Sequence, residues 1–70
     1  MRIEYDKEAD AAYIYLVTEI GVGGVAKTVP CDPTAAGEIN LDFDSEDRLI
    51  GIEVLDASKR LSRSLLGSVN

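Results

Sequence analysis

Carboxylates are the side chains of this chain that could do chemistry, because its 70 residues include 13 Asp and Glu and no His. Asp42 and Asp44 alternate with apolar residues, so a strand would place both on one face, as paired hydrolytic carboxylates require. They lie beside a predicted turn, with no sign of a pocket and no cationic partner next to them. We therefore interpret the pair as a solvent-facing stripe.

The same acidic residues are spaced like the ligands of a calcium loop. Asp42, Asp44 and Glu46 alternate as ligands 1, 3 and 5 do, and Glu53 follows at position 12. Position 6, which needs glycine for a sharp turn, is Asp47, and both flanks predict strands instead of helices. An acidic hairpin turn is therefore the favoured interpretation, and no metal site is predicted.

Other catalytic groups are missing or lack the neighbours that they need. Without His, the chain has no imidazole base and no Ser-His or Cys-His pair. Cys31 lies beside Asp32, without the cationic neighbours of a reactive thiolate. The glycines at positions 21, 23 and 24 are not followed by the Lys and Ser or Thr of a phosphate loop. The sequence therefore predicts no catalytic residue and no cofactor.

The charge distribution favours some partners over others. The formal net charge of −6 argues against nucleic acid, and Lys59, Arg60 and Arg63 form only a small basic patch. Residues 57–70 hold three basic and no acidic groups, whereas residues 1–56 hold four basic and 13 acidic groups. A basic helix lying on an acidic sheet accounts for this division. The excess acidity would steer a small basic protein.

The chain shows no pattern of membrane insertion. Its longest apolar stretch, near residues 11–17, has about seven residues, against about 20 for a spanning helix. Acids stand near the N-terminus where a signal peptide would be apolar, and one free cysteine suits a reducing compartment. We therefore expect a cytoplasmic protein without membrane association.

Five segments have the patterns of β-strands. Alternation and β-branched content predict them over Arg2–Tyr5, Ala11–Thr18, Val25–Val29, Glu38–Asp44 and Arg48–Leu55. Pro30 and Pro33 lack an N–H donor, so we predict an edge or a loop there, which continues as a loop through residues 34–37.

The last two strands are predicted to form a hairpin whose register follows from its apolar residues. A two-residue turn at Ser45–Glu46 pairs Leu41 with Ile50. The same turn pairs Ile39 with Ile52, so that every apolar position falls on one side.

A helix is predicted over residues 57–66, with Asp56 as its N-cap and Gly67 as its stop. Ala57, Leu61 and Leu65 form its apolar stripe. The predicted fold is therefore α+β and a single domain over residues 1–70. It has an antiparallel sheet of four or five strands, about residues 1–55, with one C-terminal α-helix packed on one face.

Two runs of the chain resemble a known family. Residues 3–14 (IEYDKEADAAYI) are similar to its opening pattern, and residues 42–58 (DFDSEDRLIGIEVLDAS) are similar to its closing pattern. The family is the small bacterial one catalogued as domain of unknown function 2283. The resemblance implies a compact antiparallel sheet with a C-terminal helix and no established enzymatic activity. It also implies an antitoxin-like role, because members often accompany small ribonuclease-like toxins.

The sheet face opposite the helix is the predicted interface, because one helix covers only one face. Its aromatic and aliphatic members are Tyr13, Tyr15, Val17, Leu49 and Leu55. Tyrosine is enriched at interfaces, and so small a domain gains stability by burying more surface. We therefore predict a homodimer or a higher homo-oligomer.

These observations predict a non-enzymatic protein-interaction module, in concrete form an antitoxin-like partner of a small ribonuclease-type toxin. The alternative is a small enzyme or ligand-binding subunit whose site forms between protomers. Its working groups would be Asp42, Asp44 or Glu53.

Overall fold

The computed structural model describes residues 1–31 and 38–67. Its elements along the chain are β1 (Arg2–Asp6), β2 (Ala11–Tyr15), β3 (Lys27–Pro30), β4 (Ile39–Phe43), β5 (Leu49–Leu55), α1 (Ala57–Arg60) and α2 (Arg63–Gly67). The strands form one antiparallel sheet in the order β1-β2-β5-β4-β3. This confirms the predicted α+β class. The loop predicted over residues 34–37, with Pro33, lies outside the described residues.

The third strand lies later in the chain than its alternation predicted. It begins at Lys27 and ends at Pro30, and it forms an edge of the sheet. An edge strand tolerates proline because the missing N–H can lie on the unpaired side. The prediction of an edge at Pro30 is therefore confirmed.

The helix side of the sheet consists of two cross-strand rows of side chains. The covered row, which packs against the helices, contains Tyr5, Ala12, Val54 and Ile39. The open row, one pleat further along the strands, contains Ile3, Ile14, Ile52, Leu41 and Val29, one residue from each strand. Because side chains alternate along a strand, this side of the sheet is apolar from one edge to the other.

The C-terminal segment forms two short helices where the periodicity predicted one. The first ends at Arg60, and the backbone of the next residue, Leu61, is extended with φ −110° and ψ 148°. Ser62 then begins the second, because its Oγ accepts a hydrogen bond from the N–H of Leu65 at 3.2 Å. A serine hydroxyl that satisfies free N–H groups favours a new helix start over continuation. Within the described residues, no helix is long and apolar enough to cross a membrane.

Asp10, and not Asp56, holds the start of α1. Asp56 occupies the N-cap position, as predicted, but its side chain makes no capping hydrogen bond. The Asp10 carboxylate instead accepts hydrogen bonds from the N–H and Oγ of Ser58 at 3.0 and 2.8 Å. Its carbonyl accepts one from the N–H of Ala57, and its carboxylate accepts another from Tyr5 at 2.7 Å. The two runs that carry the family resemblance therefore meet at Asp10.

The β4–β5 hairpin has the predicted faces but not the predicted partners. Leu41 pairs with Ile52, and Ile39 pairs with Val54, so each partner lies two positions further along β5 than expected. Because this shift is an even number of residues, Ile39, Leu41, Ile52 and Val54 remain on their predicted face. On the turn side of the bulge the shift is one residue, and Phe43 pairs with Leu49.

The shift of two residues has two sources. The N–H of Asp44 bonds the carbonyl of Arg48 at 2.9 Å, which leaves three residues in the turn instead of two. The last of them, Asp47, has a left-handed φ of 65°. A β-bulge between Asp42 and Phe43 adds the second residue.

Small side chains let α1 approach the sheet closely. Ala57 is 0% exposed, and Ala12 and Val54 beneath it are also buried. At the end of α1, Arg60 forms an ion pair with Glu38 at the start of β4. The basic helix therefore lies on the acidic sheet, as the charge division predicts.

Candidate functional site

The sheet face opposite the helices carries the polar and aromatic side chains. The register places two further rows there, Glu4-Tyr13-Glu53-Asn40 and Arg2-Tyr15-Gly51-Asp42-Thr28, with Asp6 beyond the first row. We call this surface the tyrosine face. It combines aromatic rings with four carboxylates, those of Glu4, Asp6, Asp42 and Glu53.

The centre of the tyrosine face is a hydrogen-bonded group that spans four strands. Tyr13 on β2 extends diagonally across β5, and its hydroxyl donates to Asp42 Oδ2 on β4 at 2.7 Å. Thr28 on β3 donates to Asp42 Oδ1 at 2.6 Å. Asp42 is only 8% exposed, so these two donors provide the hydrogen bonding that a buried carboxylate needs.

Gly51 makes this crossing possible. It lies on β5 between Tyr15 and Asp42, directly under the phenol of Tyr13. A Cβ atom at Gly51 would overlap the Tyr13 hydroxyl and ring. The glycine therefore serves close approach of a side chain to the backbone, one of the recognised uses of glycine within a strand.

The environment of Tyr13 keeps its hydroxyl protonated. Burial raises the pKa of Tyr13 well above its ordinary value of 10.0, and the hydrogen bond to Asp42 raises it further. Both donors to Asp42 are neutral hydroxyls, and among residues 1–31 and 38–67 its carboxylate forms no ion pair. This arrangement is suited to holding the sheet together and to presenting negative charge, and it offers no activated nucleophile.

The ring of Tyr15 contacts a guanidinium group within the chain. The guanidinium of Arg2 lies 4.0 Å from the centroid of the Tyr15 ring, a cation–π contact. The Tyr15 hydroxyl donates to Glu4 at 3.2 Å, and the ring meets that of Tyr13 edge-on with centroids 4.8 Å apart. The tyrosine face already holds one guanidinium between an aromatic ring and a carboxylate.

Two shallow cavities adjoin Tyr13. One of about 330 Å³ is lined by acidic residues of two strands, Glu4 and Asp6 on β1 and Glu53 on β5, together with Tyr13 on β2. The other, of about 280 Å³, is lined by Tyr13, Tyr15, Ile20, Val25 and Asp42. Both volumes lie near the lower end of the range for ligand pockets, and cavities of this size have room for single side chains.

The predicted interface residues do not form one patch. Tyr13 and Tyr15 are half-buried and hydrogen-bonded within the chain, whereas Val17 lies beyond the end of β2. Leu49 and Leu55 are exposed at opposite ends of β5, roughly 20 Å apart. The aromatic pair is therefore the continuous part of the predicted surface.

The acidic residues that resembled a calcium loop are separated by the hairpin. Asp44 accepts hydrogen bonds from the N–H groups of Glu46 and Arg48, which hold its pKa below the ordinary range. Glu46 pairs with Arg48, and Glu53 bonds Asn40. Within the described residues, no three acidic or cysteine side chains are grouped so that they could hold a metal ion.

Sequence reasoning missed the residues that organise this face. Thr28 lies in a weakly patterned strand, and nothing in its neighbourhood marks it as a donor to Asp42. Gly51 did carry a signal, because a glycine inside a strongly alternating strand often marks the close approach of another group.

Replacing Tyr13 by phenylalanine is expected to lower the free energy of unfolding by about 1–3 kcal/mol, because Asp42 loses one of two donors. The stability of the wild type should fall as pH rises above 10, since the raised pKa in the folded state favours the protonated phenol. The variant should lose part of this alkaline dependence. Urea unfolding between pH 7 and pH 11 measures both effects.

Tyr15→Phe is the matched control for this substitution. It removes a hydroxyl whose bond to Glu4 is longer and exposed, so we expect a change below about 0.5 kcal/mol. Equal losses in the two variants would contradict a special role for the Tyr13–Asp42 bond.

Comparison with known proteins identifies one family. A family model described as "Protein of unknown function (DUF2283)" matches residues 2–58, which include the whole sheet and the start of α1. No curated protein and no solved structure gives a significant match.

Proposed function

We propose that this chain, which belongs to the domain of unknown function 2283 family, is a non-enzymatic protein-interaction module that docks basic side chains on its tyrosine face. The observation that carries the proposal is the grouping of four carboxylates with two aromatic rings on one side of the sheet. Arginine is recognised by this combination, because its planar guanidinium stacks on a ring while its N–H groups bond a carboxylate.

Geometry within the chain supports this choice of partner. Arg2 stacks on Tyr15 and lies 4.0 Å from Glu4, so an arginine with the right approach fits the face. The cavities beside Tyr13 are lined by further carboxylates and have room for side chains from outside. A basic partner would be steered by the net charge and then held by these contacts.

The kind of partner follows from the same chemistry. A small basic protein supplies several arginines or lysines at once, and an antitoxin-like role against a ribonuclease-type toxin is the concrete form of this proposal. Toxins that bind RNA need basic surfaces, which an acidic face covers by charge complementarity. The proposal places this activity in the cytoplasm.

Charge reversal on the tyrosine face is expected to abolish capture of a basic partner. The variant Glu4→Lys with Glu53→Lys places two cations beside Tyr13. Wild-type chain used as bait in lysate of its native cell should recover a small basic protein, identified by mass spectrometry. The reversed chain should lose it, and titration calorimetry with the purified partner should show at least a tenfold loss of affinity.

The control for this experiment reverses two acids away from the face. Glu8→Lys with Glu46→Lys changes two exposed turn residues, and both double variants change the formal net charge from −6 to −2. The control variant should recover most of the basic protein that the wild-type chain recovers. Equal loss in both variants would show that net charge alone steers binding, and recovery of no basic protein by the wild type would refute the proposal.

A further inference from the structure

We infer that a second copy of this chain packs on the open row, so that two sheets stack through their helix sides. This surface is distinct from the tyrosine face and does not depend on the proposed function. The members of the open row are aliphatic in all five strands: Ile3, Ile14, Ile52, Leu41 and Val29. The row is roughly 19 Å long, since neighbouring strands lie about 4.8 Å apart.

The helices leave the open row available. α1 and α2 are nine residues in total, and their Ala57 and Leu66 pack with Ala12 and Val54 of the sheet. Ile14 and Ile52 of the open row contact the edge of this cluster. Val29 remains 37% exposed, and the other four members are only half-buried. A sheet whose face is apolar from edge to edge needs a second layer, and this chain supplies only part of one.

The chain as a whole exposes more surface than a folded chain of its mass. Its accessible surface is 4819 Å², about 570 Å² more than the roughly 4,250 Å² expected for a folded chain of 7.5 kDa. Specific interfaces begin at about 1,000 Å² in total, so each copy would have to bury about 500 Å². A dimer would therefore bury about as much surface per copy as the chain exposes in excess.

Charge decides which face meets a second copy. Two tyrosine faces would bring Glu4, Asp6, Asp42 and Glu53 against the same acids of the other chain, and like charges in contact are destabilising. The open row has no charged member, so it can meet itself about a two-fold axis without repulsion. Sheets stacked in this way lie about 10 Å apart, with aliphatic side chains interdigitated.

Sedimentation equilibrium tests this dimer directly. The wild type should have twice the mass of 7.5 kDa at micromolar concentration. Val29→Asp should weaken the association at least tenfold, because the two-fold axis brings two buried charges into one interface. Leu55→Asp is the matched control, since Leu55 is also 37% exposed but lies on the opposite side of the sheet. It should leave the mass unchanged.

A second variant separates dissociation from unfolding. Ile3→Asp changes the other end of the open row on the other edge strand, and circular dichroism shows whether each variant is folded. Folded monomers for both Val29→Asp and Ile3→Asp would support the inference. A monomeric wild type at 100 µM, or dissociation by Leu55→Asp but not by Val29→Asp, would overturn it.

Discussion

Gly51→Ala is expected to lower the free energy of unfolding by about 3 kcal/mol, the largest effect of any single methyl group in the sheet. The new Cβ would occupy the space of the Tyr13 phenol, which crosses the backbone of β5 at this point. Tyr13 must then move, and buried Asp42 loses its donor at 2.7 Å. Overpacking and the loss of a buried hydrogen bond therefore act together.

Two further variants show whether the clash with Tyr13 is the cause. Gly21→Ala adds a methyl group in open space and should change stability by less than about 0.5 kcal/mol. In a Tyr13→Ala background the obstacle is gone, so Gly51→Ala should cost less than about 1 kcal/mol. Urea unfolding measures the free energy of unfolding of the wild type, the three single variants and the double variant. If Gly51→Ala costs as much in the Tyr13→Ala background as in the wild type, the effect belongs to the backbone of β5 instead.

Asp10→Asn is expected to detach α1 from the sheet. The carboxylate of Asp10 accepts hydrogen bonds from Tyr5 and from both donors of Ser58, whereas an amide has one acceptor oxygen and lacks the charge that strengthens these bonds. Hydrogen exchange at the amides of Ala57 and Ser58 should become much faster, because both amides donate to Asp10.

The matched control for this change is Asp56→Asn. Both aspartates have φ of 52°, a left-handed conformation that asparagine tolerates, so neither substitution adds backbone strain. The side chain of Asp56 makes no capping bond, and its replacement should leave exchange at Ala57 unchanged. Faster exchange in the Asp56 variant alone would show that the ordinary N-cap holds the helix.

Acid pH should reproduce the effect of the Asp10 variant. The hydrogen bond from Tyr5, and next those from Ser58, lower the pKa of Asp10 below its ordinary 3.8. Its stabilisation is therefore present above about pH 3.8 and is lost as pH falls through the lower folded pKa. Asp10→Asn should flatten this part of the pH profile of unfolding, and Asp44 should account for some remaining dependence.

Much of the fold was predictable because it depends on local alternation. All five strands were found, and the side of the sheet that the apolar residues outside the β-bulge face followed from a period of two residues. Boundaries were less accurate where one hydroxyl or one proline decides them, as at Ser62 and Pro30. The hairpin partners were wrong by two residues, because a third turn residue and a bulge leave no mark in the alternation.

The hydrogen bonds between Tyr13 and Asp42 and between Asp10 and Ser58 could not be predicted from local alternation. Tyr13 and Asp42 are 29 residues apart, and Asp10 and Ser58 are 48 residues apart. Their meeting depends on which strands are neighbours, and β2 lies beside β5 although two strands, β3 and β4, separate them along the chain. Strand order is a property of the whole chain, so local patterns could not select these pairs.

The amino-acid sequence by itself determined the chemistry that this protein lacks and the two-sided character of its sheet. The absence of His removes imidazole catalysis whatever the fold, and alternation separates the open row from the tyrosine face in any register shifted by an even number of residues. Only the tertiary structure decided that Asp42 is the buried acid, that Asp10 holds the start of α1 and that Gly51 has no room for a Cβ atom. Those outcomes depend on contacts across strands, where packing and desolvation act between residues far apart in sequence.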